Sequence, residues 1–111
     1  MPGDTLLFRR DQARKARRTE AYAEVRRQLR AALAELLPGH RVWVFGSLAK
    51  LGRFNDASDV DLALAEAPRS MSVGQLSLEL AERLHRRVDI VMLDQCRFRD
   101  KILHEGELWT L

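Results

Sequence analysis

From Asp11 to Leu37 the chain carries neither Pro nor Gly and is rich in Ala, Arg, Glu and Leu, residues that lose little on entering a helix. Tyr22, Val25, Leu29, Ala32, Leu33 and Leu36 recur at intervals of three and four, so one helical face is apolar from Tyr22 onward. Pro38-Gly39 ends it. The spacing predicts a helix over about 9–37 whose first third, with Arg9, Arg10, Arg14, Lys15, Arg17 and Arg18, has almost no apolar stripe. That part is expected to project, fray or bind something. Residues 40–45, His-Arg-Val-Trp-Val-Phe, are β-branched and aromatic and run into Gly46-Ser47, which predicts a strand entering a tight turn.

The stretch Asp59-Val60-Asp61-Leu62-Ala63-Leu64 alternates with period two. A strand here puts both carboxylates on one face and Val60, Leu62 and Leu64 on the other. Ser72 with Gln75 three residues later has the form of a capping box. The helix it opens carries Val73, Leu76, Leu80, Ala81 and Leu84 on one face and is expected to run to about Arg87. A further strand, Val88–Leu93, again sets an acid, Asp89, in an apolar run. Phe98, Ile102 and Leu103 have helical spacing, and Gly106 precedes an apolar end, Leu108-Trp109-Thr110-Leu111. This order of elements predicts an α+β or α/β two-layer structure: three or four strands with helices packed on one face.

At 111 residues the chain suits one domain with a real core, expected to span 1–111. No apolar run approaches the roughly 20 residues of a membrane helix, and MPGDTLLFRR lacks a signal-peptide core, so a cytoplasmic protein with no membrane partner is expected. Cys96, the single cysteine, has no companion for a disulfide or a thiolate metal site. His40, His85 and His104 show no ligand spacing. The net charge of +3 is uneven: residues 1–41 hold ten Lys/Arg against five Asp/Glu, and residues 42–111 nine against eleven. A basic front of this kind attracts nucleic acid, anionic surfaces or acidic partners.

Asp59 and Asp61 change the picture most. A carboxylate among apolar residues needs a partner, a hydrogen-bond set or a cation. Two together repel each other, raising a pKa unless a divalent ion lies between them. All-oxygen ligands favour a hard ion, Mg²⁺ or Mn²⁺ where phosphate is a co-ligand. With Asp89 from a neighbouring strand, the set suits a two-metal clamp for phosphoryl or nucleotidyl transfer, and a third carboxylate can serve as general base. Gly46 permits the sharp turn after the strand, and the following amides with the Ser47 hydroxyl can receive phosphate oxygens. Ser58 is a weaker candidate for the same task. Lys50 and Arg53 are either triphosphate partners or solvated charges.

The ordered set resembles the DNA polymerase β-like nucleotidyltransferase superfamily, and within it the minimal, MNT-type enzymes. The shared pattern is Phe45-Gly46-Ser47, an eleven-residue spacer, Asp59-Val60-Asp61-Leu62, and a third acid in Val88-Asp89-Ile90. Ser47-Leu48-Ala49-Lys50, Ser58 and Ile102-Leu103-His104-Glu105-Gly106 agree with the minimal branch. The spacer is one residue longer than the commonest minimal form, and Lys50 stands where Arg is frequent. Both departures touch the phosphate side and leave the acids intact.

The resemblance implies a small mixed sheet backed by helices. It also implies Asp59, Asp61 and Asp89 as catalytic metal ligands for two Mg²⁺ ions, and ATP as substrate, its AMP moved onto a hydroxyl. Minimal members are paired with all-helical HEPN proteins in toxin–antitoxin systems, so the implied partner is a HEPN-type toxin, in a hetero-oligomer or beside a homodimer, with this chain as antitoxin. Three alternatives stand beside protein adenylylation: an antitoxin that neutralises by binding alone, a nucleic-acid-binding module using the Arg-rich helix, and a small-molecule nucleotidyltransferase acting on an antibiotic.

Overall fold

The computed structural model describes residues 2–111, with side chains from Leu7 onward. Seven elements form it: α1 (Pro2–Leu36), β1 (Arg41–Phe45), β2 (Val60–Leu64), α2 (Val73–Leu84), β3 (Val88–Met92), α3 (Arg99–Glu105) and β4 (Glu107–Thr110). Short 3-10 turns occupy Gly46–Ala49 and Leu93–Gln95. The four strands lie in the order β3-β2-β1-β4. β1 runs antiparallel to both β2 and β4, whereas β2 and β3 are parallel. Parallel neighbours need a crossover, and α2 supplies it. The expected α+β fold with a mixed sheet and helices is therefore present, and the apolar end of the chain forms its fourth strand.

Period-two alternation sorts the sheet into two faces. Val42, Val44, Leu62, Leu64 and Trp109 turn to one side, where Val25, Leu29 and Leu33 of α1 and Leu76, Leu80 and Leu84 of α2 close over them. Both long helices thus share one face, their outer edges joined by Arg83 to Glu35 at 2.7 Å. The opposite face carries Trp43, Phe45, Ala63 and Val91, partly covered by Leu93 and by Ile102 of α3. That thinner side leaves the acids accessible.

Several boundaries differ from the sequence reading. α1 begins at Pro2 rather than near residue 9, since Pro in the first turn has no intrahelical N–H to lose. α2 stops at Leu84, where His85 takes a left-handed conformation with φ of 54° and frees Arg86 and Arg87 to lead into β3. β2 begins at Val60, so Asp59 lies just before the strand. The capping box is as read: Ser72 Oγ accepts from Gln75 N at 3.1 Å and Gln75 Oε1 accepts from Ser72 N at 2.9 Å.

α1 reaches well beyond the body. Every described side chain from Leu7 to Glu20 is exposed, and the molecule measures 58 × 28 × 20 Å. Among the described residues no helix is long and apolar enough to cross a membrane.

Candidate functional site

The sheet register assembles the acids. Asp61 of β2 pairs with Asp89 of β3 on one side and with Phe45 of β1 on the other, so residues distant in sequence share the thinner face at the amino ends of β2 and β3 and the carboxyl end of β1. The Asp61 carboxyl is pushed above its ordinary value first by burial, then by the charges of Asp89 and Asp59, with Arg87 opposing. The charges of Asp59 and Asp89 thus both reach the Asp61 carboxyl. Arg87 Nε also donates to Asp89 Oδ1 at 3.1 Å. Among the described residues, no three His, Cys, Asp or Glu side chains are drawn together at metal-ligand distances.

The turn after β1 meets the same carboxylate. Gly46 has φ of +71°, and a Cβ built there would lie 2.5 Å from Asp61 Oδ2. Only glycine satisfies both the backbone angle and the close approach. Ser47, Lys50 and Arg53 follow and line a cavity of about 680 Å³, together with Phe45, Phe98, Lys101 and Ile102. Glu105 also faces it and stands 3.9 Å from Lys50 Nζ. The sequence-derived phosphate residues Gly46, Ser47, Lys50 and Arg53 are thus gathered around one space, and the backbone of Gly46 joins that space to the acids.

Ser58 has a different setting. Its Oγ accepts from Asn55 N at 3.0 Å and its carbonyl accepts from Arg86 Nη1 at 3.0 Å, so it stitches the spacer loop rather than lining the cavity. Phe54 anchors the same loop, 1% exposed, in edge contact with Tyr22 and beneath the Arg86 guanidinium. The eleven-residue spacer between Ser47 and Asp59 is thus an ordered, anchored loop.

Sequence reasoning missed Phe98 and Lys101 as site residues, and it missed Arg26. The guanidinium of Arg26 lies between the Tyr22 and Trp109 rings, 5.1 Å from each centroid, and donates to Leu48 O at 3.0 Å and to Glu107 Oε1 at 2.6 Å. It ties α1 and β4 to the turn that carries Ser47. The Arg26 hydrogen bond is the main reason the Glu107 carboxyl is held below its ordinary value, with help from Trp109 and against burial. Helical spacing put Arg26 on the flank of the apolar stripe, where charged residues are ordinary; only the fold reveals its partners.

An oxygen-only donor set around a desolvated, acid-flanked Asp61 fits a hard divalent cation, which would offset both the burial and the repulsion that raise Asp61. It offers nothing to a soft metal.

Residues 28–109 match the family model described as polymerase beta, nucleotidyltransferase. No curated protein sequence resembles the chain closely enough to add a relative. Among solved structures, a putative minimal nucleotidyltransferase shares 29% identity with a TM-score of 0.61, over 78% of this chain and 93% of that one. A toxin–antitoxin complex crystallised with AMP-PNP shares 23% identity with a TM-score of 0.59, over 77% and 73% of the two chains. A complex of the tri-AMPylated Shewanella oneidensis HEPN toxin with its MNT antitoxin shares 18% identity with a TM-score of 0.55, over 81% and 73%. With the matched segment running from within α1 to β4 and enclosing every acid and every cavity-lining residue described above, the chain belongs to the polymerase beta nucleotidyltransferase family.

Proposed function

We propose that this protein is a Mg²⁺-dependent nucleotidyltransferase of the minimal type, moving AMP from ATP to a hydroxyl of a HEPN-type helical partner in the cytoplasm and acting as that partner's antitoxin. The observation that carries the reading is the close approach of Gly46 to Asp61, which sets the turn after β1 directly against a carboxylate that feels both Asp89 and Asp59. The AMP-PNP and AMPylated-toxin complexes among the structural neighbours support ATP as donor and a HEPN protein as acceptor.

Asp59, Asp61 and Asp89 are the residues that would hold two Mg²⁺ ions, with Mn²⁺ as a substitute. When bound, the ions neutralise triphosphate charge and favour the ionised acceptor oxygen. Gly46, with no side chain, lets phosphate approach the backbone; Ser47, Lys50 and Arg53 take the outer phosphate oxygens, and Ser58 holds the loop that presents Arg53. Phe45, Phe98 and Ile102 give the cavity apolar lining suited to the base. The acceptor oxygen bonds to the α-phosphorus as the bond from that phosphorus to the pyrophosphate oxygen breaks, and a site carboxylate takes the acceptor's proton.

Co-purified with its HEPN partner and supplied with α-³²P-labelled ATP and Mg²⁺, the native protein is expected to label the partner, and Asp59→Asn/Asp61→Asn to abolish the label. Equal labelling by the variant would sink the catalytic reading. A variant that still neutralises the toxin without labelling it would identify the antitoxin that works by binding alone.

A further inference from the structure

The projecting part of α1 is absorbed by nothing above. The family match starts at residue 28, and Leu7–Glu20 contributes no side chain to the core. This segment carries Arg9, Arg10, Arg14, Lys15, Arg17 and Arg18 against two acids, Asp11 and Glu20. By the helical period, Arg10, Arg14, Arg17 and Arg18 share one side over about 12 Å. Three of them face the spacer loop across a groove of about 340 Å³, lined by Arg14, Arg17, Arg18, Asn55, Asp56 and Ala57. On the other side of Arg18, Lys15 and Thr19 meet Leu51 and Gly52 around a second groove of about 260 Å³. Asp56 is the single acid on these two walls.

We infer that the arm Leu7–Glu20, with the grooves at its base, is a binding surface for duplex nucleic acid, held through the phosphate backbone. The charge pattern selects this occupant. A protein–protein interface centres on apolar side chains, and from Arg9 to Glu20 the arm has only Ala13 and Ala16. A second copy laid along the arm would meet six cations with six cations. Phosphate contacts need no apolar centre and draw their affinity from counterion release. Cations on several sides of an exposed helical rod suit two facing phosphate strands, and a helix polar all round gains from such a partner the stability that its own sequence lacks. Leu7 and Phe8, 64% and 60% exposed, are free to rest against sugar faces.

The test is fluorescence anisotropy of the full chain with labelled 20-base-pair RNA and DNA duplexes at 50–200 mM salt. With four phosphates neutralised, affinity is expected to fall on the order of 100-fold across that range. Arg10→Gln/Arg14→Gln/Arg17→Gln/Arg18→Gln, which touches no core residue, is expected to weaken binding at least tenfold at low salt and to flatten the salt dependence; circular dichroism checks that the helix remains. Equal binding of both duplexes supports contact through phosphates alone, and a preference names that duplex as the ligand. No binding at 50 mM salt, the same affinity and salt slope for the variant, or equal binding of poly-glutamate, as for an acidic protein partner, would each overturn the inference. Nucleotide transfer is measured separately, so loss of labelling in the Asp59→Asn/Asp61→Asn variant leaves this result untouched.

Discussion

Gly46 holds two constraints at one Cα: a left-handed φ of +71° and a neighbour, Asp61 Oδ2, where its Cβ would sit. Gly46→Ala is expected to cost about 1–2 kcal/mol from the backbone alone, read as a lowered melting temperature. Because the added methyl must displace Asp61, Mg²⁺-dependent ATP affinity should fall further than stability does. Asp61 itself makes a pH prediction. Its folded-state value is raised, so the native state holds that proton more tightly than the unfolded chain. Stability therefore declines as pH rises from the ordinary carboxylate range through the raised value, and stays lower above it. Without metal at neutral pH, Asp61→Asn is expected to melt a few degrees above the native protein, with the difference gone by about pH 3. Added Mg²⁺ should stabilise the native protein and leave Asp61→Asn unmoved. Thermal melts at each pH, with and without Mg²⁺, check both signs.

Between β1 and β2, the turn Gly46–Ala49 is held from two directions: Leu48 is fully buried below it, and its carbonyl is bound by Arg26 from α1. Arg26→Ala is expected to cost on the order of 1 kcal/mol, since the pair it forms with Glu107 is partly exposed. It should also raise KM for ATP more than it lowers kcat, by loosening the turn under Ser47 and Lys50. Arg26→Lys, with the charge but not the fork, should rescue only in part. Glu107 has a depressed folded-state value, so its contribution is present above the ordinary carboxylate range and lost as pH falls through the depressed value. Thus β4, a short edge strand, is anchored to α1 at neutral pH and loosened in acid, which amide exchange at Leu108 and Trp109 would report.

Across the molecule, the body and the arm of α1 are energetically separate. Core contacts begin at Ala21 and Tyr22, so deletion of residues 2–20 removes exposed helix and no buried side chain from Leu7 on. The truncated protein is expected to melt within a few degrees of the full chain and to retain nucleotide transfer, while its far-ultraviolet circular dichroism loses helical signal. A large drop in melting temperature would show that the arm packs on the body. The elongated shape, 58 Å in its long dimension, should shorten accordingly in small-angle scattering.

Local sequence determined most of the local structure: three-and-four spacing placed α1 and α2, alternation placed β2, β-branched and apolar runs placed β1 and β3, and the Ser72–Gln75 pair marked a helix start. The ordered set Gly46, Ser47, Asp59, Asp61 and Asp89 stood out as well, because acids recurring among apolar residues on strands are chemically costly and Gly-Ser gains meaning beside them. Boundaries were less legible, since capping at His85 and continuation of α1 to Pro2 depend on backbone conformations that composition barely biases. What only the tertiary structure decided is which distant residues meet. The parallel pairing of β2 and β3 sets Asp89 beside Asp61, α3 brings Phe98 and Lys101 to the cavity, Ser58 is drawn into the loop by Arg86, and Arg26 reaches Leu48 and Glu107. Local sequence sets what each segment prefers to be; strand order and long-range packing, which no single segment encodes, set what each side chain faces.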